Sequence, residues 1–142
     1  MKQSVTFITL GVDDLEVMKR FYTEKFGWVP LKEEEGLVFF KLNGIILSLF
    51  PNPELAEDAG VFLSDERDFR RMTFSLCLPS IKEVDETFEG LSEKDVPILK
   101  RPKKVFWGGY AGYVEDVEHN LWEIAFNPFL EMDEEGRVIT HT

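Results

Sequence analysis

The chain has one cysteine, Cys77, in 142 residues. An intrachain disulfide is excluded, and a reducing, cytoplasmic setting is expected. Basic residues are also scarce. Lys and Arg number 16 against 27 Asp and Glu, a net charge of −11. That balance argues against binding a phosphate backbone or an anionic membrane surface, so no nucleic-acid and no membrane partner is expected. No apolar run approaches the roughly 20 residues of a membrane helix. The opening Met1-Lys-Gln-Ser-Val-Thr-Phe7 lacks a charged-then-apolar leader pattern.

Apolar material is plentiful. Hydrophobic residues make up 44% and aromatics 13%, with 13 phenylalanines. That suffices for a packed interior and excludes global disorder. The length fits one domain built from two small modules.

Val5 to Val12 is β-branched and aromatic and predicts a strand. Asp13 or Asp14 then caps a helix from Leu15 to about Phe26, with Leu15, Met18, Tyr22 and Phe26 on one stripe. Trp28 to Leu31 predicts a short strand, and Lys32 to Gly36 a solvated turn. Leu37–Leu42 and Ile45–Phe50 form a hairpin across Asn43-Gly44. The first module, about 1–52, therefore reads β-α-β-β-β. Residues 53–71 carry charges and no sustained period, with one helical turn expected at Leu55 to Ala59, as in a linker or flap.

The pattern then restarts. Met72 to Leu78 predicts a strand, and Ser80 to Glu83 a capping box. Ile81, Val84, Phe88 and Leu91 form a helical stripe. Val96 to Leu99 predicts a strand, and Lys100 to Gly109 a loop. Tyr110–Glu115 and Leu121–Asn127 pair across the acidic turn Asp116 to Asn120. The second module is about 72–128, with a tail at 129–142. Leu15 and Ile81, and likewise Phe7 and Thr73, lie 66 residues apart, whereas Ser48 and Glu123 lie 75 apart. This is an internal repeat with extra residues before the final hairpin.

Alternation assigns faces. Trp122, Ile124 and Phe126 share one side of the last strand, and Leu121, Glu123 and Ala125 the other. Glu123 either lies at a solvated edge or lines a cavity. In the strand from Met72, the set Phe74, Leu76 and Leu78 opposes Thr73, Ser75 and Cys77. Trp107 and Tyr110 flank Gly108-Gly109 at a strand mouth, where each can stack on a ligand or pack on a neighbour.

The stretches Gly11-Val-Asp-Asp-Leu-Glu-Val-Met-Lys-Arg-Phe-Tyr-Thr-Glu-Lys-Phe-Gly-Trp28 and Trp107-Gly-Gly-Tyr-Ala-Gly-Tyr-Val-Glu-Asp-Val-Glu-His-Asn-Leu-Trp-Glu123 resemble the vicinal oxygen chelate superfamily. It includes glyoxalase I, bleomycin-resistance proteins and extradiol dioxygenases. The resemblance implies an α+β fold: two paired βαβββ modules forming curved sheets around a cavity, with helices outside. Residues 127–139 are similar to a short terminal hairpin of small bacterial members. A homodimer is also implied, and strand edges and the Val138-Ile139 tail are compatible with one.

Metal-dependent members bind a divalent ion through four residues, typically His or Gln, Glu, His and Glu. The matching positions here are Phe7, Ser48, Thr73 and Glu123. Only Glu123 is a ligand type, and His119 and His141 fall in a turn and the tail. The expectation is no metal and no cofactor. The candidate ligand-binding set is Phe7, Ser48, Thr73, Ser75, Trp107, Tyr110 and Glu123, facing a small, partly apolar and, from the acidity, cationic molecule. Rival readings are a lyase, isomerase or dioxygenase using Glu123 as base or a different metal site, and a dimerisation unit with a filled concavity. Fold alone does not choose among them. Protein dialysed against nickel, zinc, manganese or iron(II) salts is expected to retain well under one ion per chain. One retained equivalent would reverse the metal reading.

Overall fold

The computed structural model describes residues 3, 5–34, 36–64, 70 and 72–142. The chain divides into two compact units, Met1–Asp68 and Phe69–Thr142. Each contains an open four-stranded mixed sheet with a helix against one face.

The first unit consists of β1 (Phe7–Val12), α1 (Leu15–Glu24), β2 (Lys32–Glu34), β3 (Leu37–Lys41), β4 (Ile46–Pro51) and α2 (Asn52–Ala59). Its strand order is β1-β4-β3-β2, with β1 parallel to β4 and the other pairs antiparallel. Asp14 caps α1 by accepting from the Val17 amide at 3.0 Å. Met18, Phe21 and Tyr22 are buried, as are Leu10, Val12, Val38, Phe40, Leu47 and Leu49 from the sheet. Tyr22 stacks on Trp28 at 5.5 Å and meets Phe40 edge-on.

The second unit repeats the plan with β5 (Thr73–Cys77), α3 (Ile81–Glu93), β6 (Ile98–Lys104), β7 (Tyr110–Glu115) and β8 (Leu121–Phe126). Its order is β5-β8-β7-β6, with β5 parallel to β8. Val84, Phe88 and Leu91 of α3 are buried with Val114, Trp122 and Ile124, and Phe74 stacks on Trp122 at 4.7 Å. The terminal β9 (Leu130–Met132) and β10 (Val138–His141) form an antiparallel hairpin.

The two offsets of the sequence repeat appear as strand register. Phe7 pairs with Ile46 and Thr73 with Leu121; Thr9 pairs with Ser48 and Ser75 with Glu123.

Three local expectations need correction. Trp28 to Leu31 is not a strand; β2 occupies Lys32–Glu34, within the predicted turn. There Glu33 meets Lys19 of α1 at 3.1 Å and Glu34 pairs with Lys32 along the same strand, so the charges of the stretch are paired at the sheet rim. The single helical turn expected at Leu55 to Ala59 is part of a longer, eight-residue helix from Asn52, with a proline in its first turn and Gly60 closing it at φ 69°. The expectation for 53–71 also covers 65–69 and 71, which lie outside the described residues. Finally, the first half of the predicted loop, Lys100 to Lys104, belongs to β6.

Two register shifts break the β6–β7 ladder, one between Ile98 and Lys100 and one between Lys100 and Lys103. The second is admitted by Gly112. A Cβ there would lie 2.5 Å from Phe88 Cζ, 2.7 Å from the Lys100 carbonyl oxygen and 2.8 Å from the Pro102 nitrogen. Gly112→Ala should therefore destabilise the protein by about 1–3 kcal/mol. Gly90→Ala, in α3 with nothing within 4 Å of the added methyl, should stabilise it by about 0.5–1 kcal/mol. Urea denaturation of both variants checks the opposite signs.

Candidate functional site

The acidic turn sets the register of the site. The buried Asp116 carboxylate accepts from the backbone amides of Glu118 and Asn120, both at 2.9 Å, and from Asn120 Nδ2 at 2.8 Å. Asn120 Oδ1 accepts from Arg70 Nη1 at 2.9 Å. His119 takes the left-handed conformation, φ 65°, that the turn demands. With every polar group of the turn's buried pair engaged, the strands leave it in one alignment: Glu115 opposite Leu121, Val114 opposite Trp122, Tyr113 opposite Glu123.

That alignment produces a row across the sheet. Ser75 of β5, Glu123 of β8, Tyr113 of β7 and Lys100 of β6 are successive register partners. Partners share a face, here the one opposite α3. Tyr113 donates its hydroxyl to Glu123 Oε2 at 2.6 Å, and Ser75 Oγ donates to Oε1 at 3.2 Å. Glu123 is half-buried, neither sealed nor at a free edge. Two lone-pair sites of its carboxylate remain for a further donor, because an ionised carboxylate accepts about four hydrogen bonds.

The hydrogen bond to the Glu123 carboxylate, aided by burial, pushes the Tyr113 phenol up to about 12. Tyr113 is therefore a neutral donor at physiological pH. Burial likewise raises the Cys77 thiol. The Ser75 hydroxyl works against that shift and the Glu123 charge adds to it. Cys77 stays protonated, in keeping with an inert thiol.

The sequence-predicted residues fall in several places. Ser75 and Glu123 are in contact, and Thr73 stands on the same face one register step along, opposite Leu121. Tyr110 does not join them. It lies on the helix side of β7 and donates to Asp85 of α3 at 2.8 Å. Trp107 is in the loop joining β6 to β7, its ring so close over Gly109 that a Cβ there would lie within 2.0 Å. The far end of the indole thus already packs against the backbone at Gly109. Phe7 and Ser48 belong to the first unit. Phe7 is 47% exposed and edge-on to Phe39 at 5.8 Å, whereas Ser48 is buried between register partners Thr9 and Phe39. Tyr113 was not among the predicted residues. Counting outward from the Asp116 turn would have found it, since three steps on either side reach Tyr113 and Glu123.

Ligand chemistry at the four family positions does not fit a divalent ion. Phe7 has no donor, Ser48 and Thr73 offer only hydroxyls, and Glu123 already serves two hydrogen bonds. Among the described residues, no three His, Cys, Asp or Glu side chains form a cluster able to hold a metal.

The family model described as the Glyoxalase/Bleomycin resistance protein/Dioxygenase superfamily matches residues 4–124. A glyoxalase-related enzyme from Fulvimarina pelagi is 33% identical over 99% of this chain and 100% of its own, with a TM-score of 0.89. A glyoxalase/bleomycin resistance protein/dioxygenase from Nocardioides is 25% identical over 89% and 84%, TM-score 0.78. Lactoylglutathione lyase from Agrobacterium tumefaciens is 25% identical over 89% and 96%, TM-score 0.68. No curated protein matches the chain.

The Tyr113–Glu123 contact makes a spectroscopic prediction. In an alkaline absorbance titration, the step removed by Tyr113→Phe should lie near 12 and move back toward 10 in Glu123→Gln. Because the folded value is raised, the contact's stabilisation is fully present below the ordinary tyrosine range and is lost as pH rises through about 12.

Proposed function

Because the chain belongs to the glyoxalase/bleomycin resistance protein/dioxygenase superfamily, within the vicinal oxygen chelate fold, we propose that the open face of its second unit binds a small, partly apolar molecule without a metal. Glu123 is the polar anchor. The observation that carries this reading is the Ser75–Glu123–Tyr113 constellation. Two neutral donors hold the carboxylate in place while leaving acceptor capacity for a ligand N–H or ammonium. Ala111 and Ala125 of the next row are buried, so an apolar body beside the carboxylate would lie on the other side, over exposed Thr73 and half-buried Leu121.

The donor chemistry at Phe7, Ser48 and Thr73 supports the metal-free assignment. The exposed Val138 and Ile139 of the terminal hairpin support a homodimer as the working assembly. The lone free thiol supports a cytoplasmic setting.

A second reading rests on the same carboxylate. Its unused lone pairs would let Glu123 take a proton from an acidic C–H, as a lyase or isomerase requires. The partners fit anchoring better, because donors from both neighbouring strands hold the carboxylate in one orientation.

A calorimetric screen with cationic aromatic amines should find saturable binding that Glu123→Gln weakens about tenfold, the loss expected for a hydrogen bond to a charged group. Tyr113→Phe should weaken it less. Binding indifferent to Glu123→Gln would sink the assignment, and metal-independent turnover abolished by that substitution would favour the proton-abstraction reading.

A further inference from the structure

The β6 strand is basic in an otherwise acidic chain. Lys100, Arg101, Lys103 and Lys104 lie within one seven-residue strand of a protein whose net charge is −11. The register divides them. Lys100 stands opposite Tyr113 and Lys103 opposite Ala111, both on the open face; Lys104 stands opposite Tyr110, on the helix face. The two bulges are what bring both lysines to the open face, since an uninterrupted strand would set residues three apart on opposite sides.

The first unit supplies a comparison. Its corresponding row is Thr9, Ser48, Phe39 and Lys32. There the lysine is neutralised by Glu34 two residues along the same strand. In the second unit the matching position two residues on is Pro102, and neither Lys100 nor Lys103 makes an ion pair with a described carboxylate. A basic edge strand also discourages edge-to-edge pairing. That role needs cations on the edge but does not require two of them on the face that carries the carboxylate.

We infer that the ligand of this face is bipolar: a hydrogen-bond donor or ammonium group at Glu123 and an anionic group, carboxylate or phosphate, at Lys100 and Lys103. Lys100 is two strands from Glu123, a separation of about 10 Å between backbones. One aromatic ring spans the gap once the flexible lysine side chains reach inward. The inference rests on the binding reading above and narrows it from a cationic ligand to a zwitterionic one.

Nuclear magnetic resonance titration of the full chain at low salt tests it with three probes: para-(aminomethyl)benzoate, benzylamine and benzoate. The zwitterion should shift the amides of β6 and β8 and saturate at lower concentration than either single-charge probe. Lys100→Gln and Lys103→Gln should each weaken the zwitterion by about threefold to fivefold, the scale of a partly exposed ion pair, and leave benzylamine unchanged. Lys104→Gln removes the same charge from the other face and should change nothing. Equal binding of benzylamine or benzoate, or an equal effect of Lys104→Gln, would overturn the bipolar inference and leave the Glu123 site standing. No shift in β8 with any of the three probes would overturn the binding reading itself.

Discussion

The second unit depends on one carboxylate held from both sides. Glu123 sits on β8, with β5 on one flank and β7 on the other, and each flank donates a hydroxyl to it. A charged group at such a position would be expensive without partners. Its partners are neutral, so its negative charge is solvated but not cancelled. A salt bridge would have hidden the carboxylate; two hydroxyls display it. The surrounding design follows from that need. The Asp116 turn sets which residue faces Glu123, Gly112 lets β6 bulge toward the sheet, and the stacked Phe74 and Trp122 fix β5 and β8 from the opposite side.

Comparing the two units separates what the fold requires from what this chain has added. Both place a hydroxyl residue, a central residue, an aromatic and a lysine across four strands. In the first unit the central residue is a buried serine and the aromatic is Phe39, which packs edge-on to Phe7. In the second, serine becomes glutamate and phenylalanine becomes tyrosine. The changes match one another, since a carboxylate needs a donor and a phenol supplies it. The matched exchange argues for a polar site on one unit and an apolar surface on the other.

Much of this was legible from residue order. Alternation in Leu121–Phe126 and Thr73–Cys77 assigns the faces found, because period-two patterning survives wherever one side of a strand packs on a helix. The repeat offsets reappear as register because duplicated modules pair their first and last strands alike. What escaped has physical reasons. Lys100 to Lys104 contains a proline and four cations and lost its periodicity to two bulges, so a strand resembled a loop. The Trp107 side chain folded back over Gly109, an approach that only the three-dimensional path of the loop displays. Tyr110 and Tyr113 differ by an odd number of positions, and only the register decides which of them faces the carboxylate.

The two hydrogen bonds to Glu123 also differ in how far along the chain they reach. Tyr113 is 10 residues away, across a hairpin, whereas Ser75 is 48 residues away, across a parallel pairing. Closing the longer loop costs about 1.4 kcal/mol more chain entropy than the shorter one. During folding the phenol should therefore reach the carboxylate early, within a local hairpin, and the serine only when β5 docks beside β8 and completes the sheet. The site is thus assembled in two stages, and its final geometry appears only when the whole unit has condensed around it.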